Sequence, residues 1–134
     1  MILCASLMTM PESNLPDAVH KFYGSSTTLE SGKRYRINRV VLEPGRRIMT
    51  QLHYHRSEHW IVVTGTIQVE CDEQITLVHE GQSTFVPRCT KHRVENPGKV
   101  PAVVIEVQSG EYLDEEDVVR FPETGELPGS RSNP

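Results

Sequence analysis

Gly45-x5-Gln51-x-His53-x4-Glu58-x6-Gly65, followed by Gly81-x5-Pro87-x-Cys89-x2-His92-x3-Asn96, are the two stretches that decide the reading of this chain. Residues two apart on a pleated strand share a face, so Gln51 and His53 can reach one point. Glu58 follows past a short bend, and His92 comes from a distant strand. Together they nominate Gln51, His53, Glu58 and His92 as ligands of one divalent metal. The glycines and Pro87 stand where a small barrel must turn sharply, and fixing the turns fixes the register of the ligands. One His-x-His pair recurs by chance. Two blocks in order, each with its own turn residues, are a far stronger signal.

The flanking sequence points to strands. Arg34 to Leu42, Trp60 to Val63, Thr66 to Cys71, Gln74 to Val78, Ser83 to Val86 and Val100 to Val107 are short and rich in Val, Ile and Thr. Gly, Pro or Asp turns separate them, a pattern of sandwiches and barrels. Cys71-Asp72-Glu73 reads as a hairpin turn, and Asp114 to Asp117, acidic ahead of Val118, as a short C-terminal helix. An arm over residues 1–20, a single domain over 21–121 and a loose Pro/Gly/Ser-rich tail over 122–134 complete the expected organisation.

The 134 residues suffice for one core. A formal net charge of −4 gives no reason to expect nucleic acid or an anionic membrane as partner. Three cysteines, Cys4, Cys71 and Cys89, are odd in number and unpatterned, so they read as thiols of a reducing compartment. The apolar start Met1–Met10 lacks the basic lead of a secretory signal, and Met8 or Met10 serves equally as a start. No run approaches the length of a membrane span. The cytoplasm is the expected location.

The two blocks resemble the motifs of the cupin superfamily, with Gln51 where a first histidine is usual and Cys89 where a glycine is usual. A closer resemblance, over roughly residues 21 to 121, is to the isomerase domain of type II phosphomannose isomerases. It is carried by Leu52-His53-Tyr54-His55-Arg56-Ser57-Glu58-His59-Trp60 and His92-Arg93-Val94-Glu95-Asn96-Pro97-Gly98. Ile105-Glu106-Val107-Gln108-Ser109-Gly110-Glu111-Tyr112-Leu113 and Glu116 to Phe121 extend it. Lys21-Phe22-Tyr23-Gly24 replaces that family's Arg-Pro-Trp-Gly. Pro122-Glu123-Thr124-Gly125 stands where its closing Asp-x-Tyr-Gly-Arg belongs. The resemblance implies an all-β, single-domain cupin, a jelly-roll β-barrel with one metal in its mouth. Those relatives also carry a guanylyltransferase, whose Gly-rich opening is not found in this sequence.

The implied function is mannose-6-phosphate isomerisation to fructose 6-phosphate, with a phosphorylated sugar as substrate and a homodimer as assembly. A metal would polarise the carbonyl. Mixed nitrogen and oxygen ligands suit zinc first, then manganese, iron, cobalt or nickel. Glu106, a carboxylate inside the apolar run Val103–Val107, is either a salt-bridged structural residue or a proton carrier. His55 is its partner in that role, expected in the pocket beside the metal, and the alternative to Gln51 as ligand. Arg93 and Lys91 are the expected phosphate contacts, with Arg56, Arg39, Lys33 and Lys21 as further cations. The alternatives are another metal-dependent cupin enzyme, such as a dioxygenase or other sugar isomerase, and a non-catalytic sugar-binding cupin.

Overall fold

The structure, a computed structural model, describes residues 16–122. Eleven strands build it: β1 (Val19–Lys21), β2 (Gly24–Ser31), β3 (Tyr35–Leu42), β4 (Arg47–Leu52), β5 (Arg56–Thr64), β6 (Thr66–Cys71), β7 (Gln74–His79), β8 (Ser83–Val86), β9 (His92–Glu95), β10 (Ala102–Gly110) and β11 (Val119–Arg120). They form a six-stranded sheet, β1-β2-β3-β10-β5-β8, and a five-stranded sheet, β11-β4-β9-β6-β7. All pairings are antiparallel, as in a jelly roll.

The strand alternation grades the interior from apolar to polar. On β10 the inward row runs Ala102, Val104, Glu106, Gln108, all buried. On β3 it runs Leu42, Val40, Asn38, and on β5 Val62, Trp60, Glu58, Arg56. The strands are in register, with Glu106 opposite Asn38 on one side and Trp60 on the other. One end of the barrel is therefore a core of Val40, Leu42, Trp60, Val62, Ile67, Val69, Val78, Val86, Val94, Ala102 and Val104. The other end is a polar cup.

Turn chemistry holds that register. Asp72 and Glu73 both take left-handed backbone, with φ of 50° and 71°, the type I′ requirement for a two-residue hairpin loop between β6 and β7. Gly65 has φ +86°, and a Cβ there would lie 2.9 Å from the Ala102 Cα, so the β5–β6 turn admits no side chain. Asn96 is buried and fully satisfied. Its Nδ2 donates to the carbonyls of Leu42 (2.9 Å) and Val100 (2.8 Å), and its Oδ1 accepts the Gly98 N–H at 2.8 Å.

Two expectations on local structure change. Asp114 to Asp117 is a turn and not a helix. The Asp114 carboxylate accepts the Glu116 N–H at 3.0 Å and its carbonyl accepts the Asp117 N–H at 3.0 Å, a local bonding pattern that competes with helix. Val19 and His20, at the end of the expected arm, join Lys21 in an edge strand on β2. Residues 1–15 of the arm with Cys4, and residues 123–134 of the tail, lie outside the described residues. Cys71 and Cys89 are free thiols.

Candidate metal centre

Three of the four nominated ligands converge at the floor of the cup. His53 lies just past β4, Glu58 on β5 and His92 at the start of β9, with relative exposures of 3%, 1% and 2%. One donor atom from each lies within 4.8 Å of the others. His53 Nε2 is 3.2 Å from Glu58 Oε2, and His92 Nε2 is 3.4 Å from Glu58 Oε1.

The tautomers follow from the partners. His53 Nδ1 lies 2.6 Å from the Asp117 carbonyl oxygen, and His92 Nδ1 lies 2.9 Å from that of Thr90. A carbonyl can only accept, so each Nδ1 carries the proton and donates it. In the neutral ring each Nε2 then keeps its lone pair. Both Nε2 atoms and Glu58 Oε2 are buried without a hydrogen-bond partner, a costly state for polar atoms. Burial raises the Glu58 pKa, and the two imidazoles would lower it only when protonated and donating to the carboxylate; in the neutral tautomer their lone pairs are left for an ion. Two lone-pair nitrogens beside a carboxylate, each anchored from behind, are a donor set that fits a divalent transition metal. This is a His/Glu cluster able to hold one.

Gln51 pairs with His92 across β4 and β9 and, with His53 and Glu58, lines a cavity of about 280 Å³. Glu106 lines it too. Its Oε1 accepts from Asn38 Nδ2 at 2.9 Å, and Asn38 Oδ1 in turn accepts the Thr28 hydroxyl at 2.9 Å. That chain fixes the Asn38 amide and leaves the second carboxyl oxygen of Glu106 to carry a proton. Burial first, and then the Glu58 charge, raise its pKa to about 8. Trp60 Nε1 donates to Glu58 Oε1 at 3.1 Å, tying the core to the site.

The other nominated residues sit elsewhere. His92 faces inward, so Lys91 and Arg93 point outward from the same sheet. Arg93 Nη2 bonds Glu70 Oε1 at 2.9 Å, and Lys91 Nζ stands 4.3 Å from the centroid of the Phe121 ring. Both line a second recess with Thr50, Glu70, Asp72, Glu73 and His92, behind the cup that Gln51, His53 and Glu58 line. His55 is at the rim, its side chain 58% exposed and paired with Asp117. The cations that line the cup are Lys21, Arg36, Arg56 and Arg120. Arg56 is buried and faces Glu58, Nε to Oε2 3.6 Å. Arg36, Asn38, Gln108 and Arg120 were not singled out from the sequence. Their signal was parity, since Asn38 continues the inward row of Val40 and Leu42, and Gln108 that of Glu106.

The arrangement can coordinate an oxygen-rich ligand at its floor, neutralise an anionic group on its walls, and exchange a proton through Glu106. The model of the family described as "Mannose-6-phosphate isomerase C-terminal" matches residues 10–123. The chain is 48% identical over 103 residues to the alginate biosynthesis protein AlgA of Pseudomonas syringae, covering 77% of this chain and 21% of that protein. It is 45% identical over 103 residues to the mannose-1-phosphate guanylyltransferase of Escherichia coli K12, covering 77% and 22%. It thus spans about a fifth of the length of the curated relatives it matches. Among solved structures, an RmlC-like cupin from Shewanella frigidimarina superposes with a TM-score of 0.68 at 18% identity, covering 83% of this chain and 96% of that one. That likeness establishes the cupin fold. The relatives correct the expected function: they are named for guanylyl transfer and alginate biosynthesis, not for mannose-6-phosphate isomerisation. No helix among the described residues is long and apolar enough to cross a membrane.

Proposed function

The chain belongs to the mannose-6-phosphate isomerase C-terminal family, and on that footing we propose that it is a metal-centred cup that binds mannose 1-phosphate in the service of guanylyl transfer. The observation that supports this most is the buried His53–Glu58–His92 cluster beneath walls that carry Lys21, Arg36, Arg56 and Arg120. His53, Glu58, His92 and Gln51 hold the ion, with zinc the first choice for two imidazoles and a carboxylate. Bound there, the metal supplies a Lewis acid for hydroxyl oxygens of the sugar. Arg36 and Arg120 meet the phosphate, whose oxygens suit the guanidinium fork. Arg56, already facing Glu58, holds that carboxylate and supports the floor. Glu106 keeps its proton on the oxygen turned away from Asn38 and donates it to a ligand hydroxyl. Tyr23 also lines the cup and is held neutral, its pKa raised to about 12 by burial and then by the Glu106 and Glu115 charges, so it too is a donor.

We place the chain in the cytoplasm and as a homodimer, joined through the open sheet edge at β1. Light scattering that returns a monomer at high concentration would contradict the dimer. Calorimetric titration of the zinc-loaded chain tests the binding role. Mannose 1-phosphate should bind more tightly than mannose or inorganic phosphate alone, and chelation of the metal should abolish the difference. Equal affinity with and without metal would overturn the proposal.

A further inference from the structure

Asp117 is the buried member of an acidic run, 5% exposed while Asp114, Glu115 and Glu116 are exposed. Its carboxylate and carbonyl oxygens are all used on one short stretch of chain. Oδ1 accepts the Tyr54 N–H at 3.0 Å and faces His55 Nδ1 at 3.1 Å, while Oδ2 accepts the His55 N–H at 3.0 Å. The Asp117 carbonyl accepts from His53 Nδ1 at 2.6 Å. Residues 53–55 lie between β4 and β5 and belong to neither strand, so no ladder holds them. The Cys89 N–H donates to the His53 carbonyl at 2.6 Å; the amides of the next two residues and the His53 ring all depend on Asp117. Asp117 is itself tethered on both sides, by its own N–H to the Asp114 carbonyl at 3.0 Å and by the pairing of Val119 with Leu52. A buried acid is costly unless its oxygens are satisfied. Here burial, which would raise its pKa, is outweighed by the His55 and Tyr54 amides, and the carboxyl stays ionised.

We propose that Asp117 is the positioning residue of the metal cluster. Its carboxylate clamps the Tyr54–His55 turn while its carbonyl fixes His53 in the Nδ1–H tautomer, so that Nε2 keeps its lone pair toward Glu58 and His92. A ligating histidine whose outer nitrogen loses its acceptor commonly loses metal affinity by about 10–100-fold. The role of the cluster as a metal site rests on the proposed metal-centred cup. The tautomer of His53 does not, and this separates the two in the test.

The imidazole nitrogen shifts of His53 in the metal-free chain report its tautomer, and competition against a chromogenic chelator reports zinc affinity. In Asp117→Ala the backbone carbonyl remains but the clamp on the Tyr54 and His55 amides is lost. The turn should then shift His53 Nδ1 off that carbonyl, so that both tautomers are populated and zinc binds roughly 10–100-fold more weakly. Asp117→Asn keeps one oxygen for one of the two amides and should fall between. Val78→Ala, a destabilising core truncation away from the cluster, should keep the wild-type tautomer and bind zinc within about twofold of wild type, which excludes a general loss of stability as the cause. Wild-type tautomer and wild-type affinity in Asp117→Ala would overturn the inference. Should Asp117→Ala fail to fold, Asp117→Asn decides by the same two readouts. Should the wild type bind no zinc, the metal reading fails and the tautomer comparison alone decides on Asp117.

Discussion

Replacing Glu106 by Gln removes a buried ionisable group without changing its shape, and the sign of the result follows from the protonation balance. The carbonyl of the introduced glutamine can still accept from Asn38 Nδ2, which now bonds Glu106 Oε1 at 2.9 Å. Below about pH 4 the carboxyl is protonated in the folded and unfolded chain alike, and it adds no pH dependence. Between about pH 4 and 8 the unfolded chain has released the proton while the folded chain retains it, so stability falls as pH rises. Above about pH 8 both have released it and the loss is complete. Moving the carboxyl from 4.5 to about 8 corresponds to about 5 kcal/mol, at about 1.4 kcal/mol per pH unit. The cup is open to water, which screens part of the charge, so the expected gain for Glu106→Gln at about pH 9 is roughly 2–4 kcal/mol. Trp60, the single tryptophan and 1% exposed, is the reporter. Urea unfolding of the chelator-treated protein by Trp60 fluorescence should give curves that nearly coincide at about pH 4 and diverge up to about pH 8. A pH-independent offset, or a variant less stable than wild type at about pH 9, would refute a buried, proton-holding Glu106.

Three further outcomes follow from the geometry. Cys89 takes φ +63°, a left-handed conformation unfavourable to a side chain, so Cys89→Gly should leave zinc affinity unchanged and raise stability by up to about 1 kcal/mol in chemical denaturation. Asn96→Ala strips three hydrogen bonds from a buried turn and should cost roughly 2–4 kcal/mol by the same assay. Arg93→Ala, on the outer face, should leave mannose 1-phosphate affinity within about twofold, whereas Arg36→Ala or Arg120→Ala should lower it about tenfold in calorimetry.

Much of the barrel is legible because its turns are written locally. The β6–β7 hairpin follows to within a residue from the runs on either side of Asp72-Glu73, and β8 follows without error. β2, Gly-Ser-Ser-Thr-Thr-Leu-Glu-Ser, escapes a reading by pattern because it carries no apolar row: Ser26 and Thr28 line the cup. The Asp114–Asp117 helix fails because acids that favour a helix start also form local turns with their own backbone. In the site, motif spacing brings His53, Glu58 and His92 to one point, and the mid-strand anomaly at Glu106 marks a cup residue. The proposed phosphate contacts are not legible in the same way. Adjacency to His92 suggests Arg93 and Lys91, but pleat parity turns neighbours of an inward residue outward. Choosing Arg36 and Arg120 requires knowing which end of the barrel is open. Asp117 could not be found from sequence, since its three neighbours carry the same charge and lie on the surface.

Metal content per chain is the most direct measure of the cluster. After loading with zinc and exhaustive dialysis, the wild type should retain about one equivalent per chain, and His53→Ala and His92→Ala should each retain almost none. Gln51→Ala, which removes a neutral ligand, should hold zinc more weakly than the wild type yet more tightly than either histidine variant. A folded wild type that retains no zinc, manganese, iron, cobalt or nickel, or a His92→Ala chain that retains as much as the wild type, would contradict the metal centre itself.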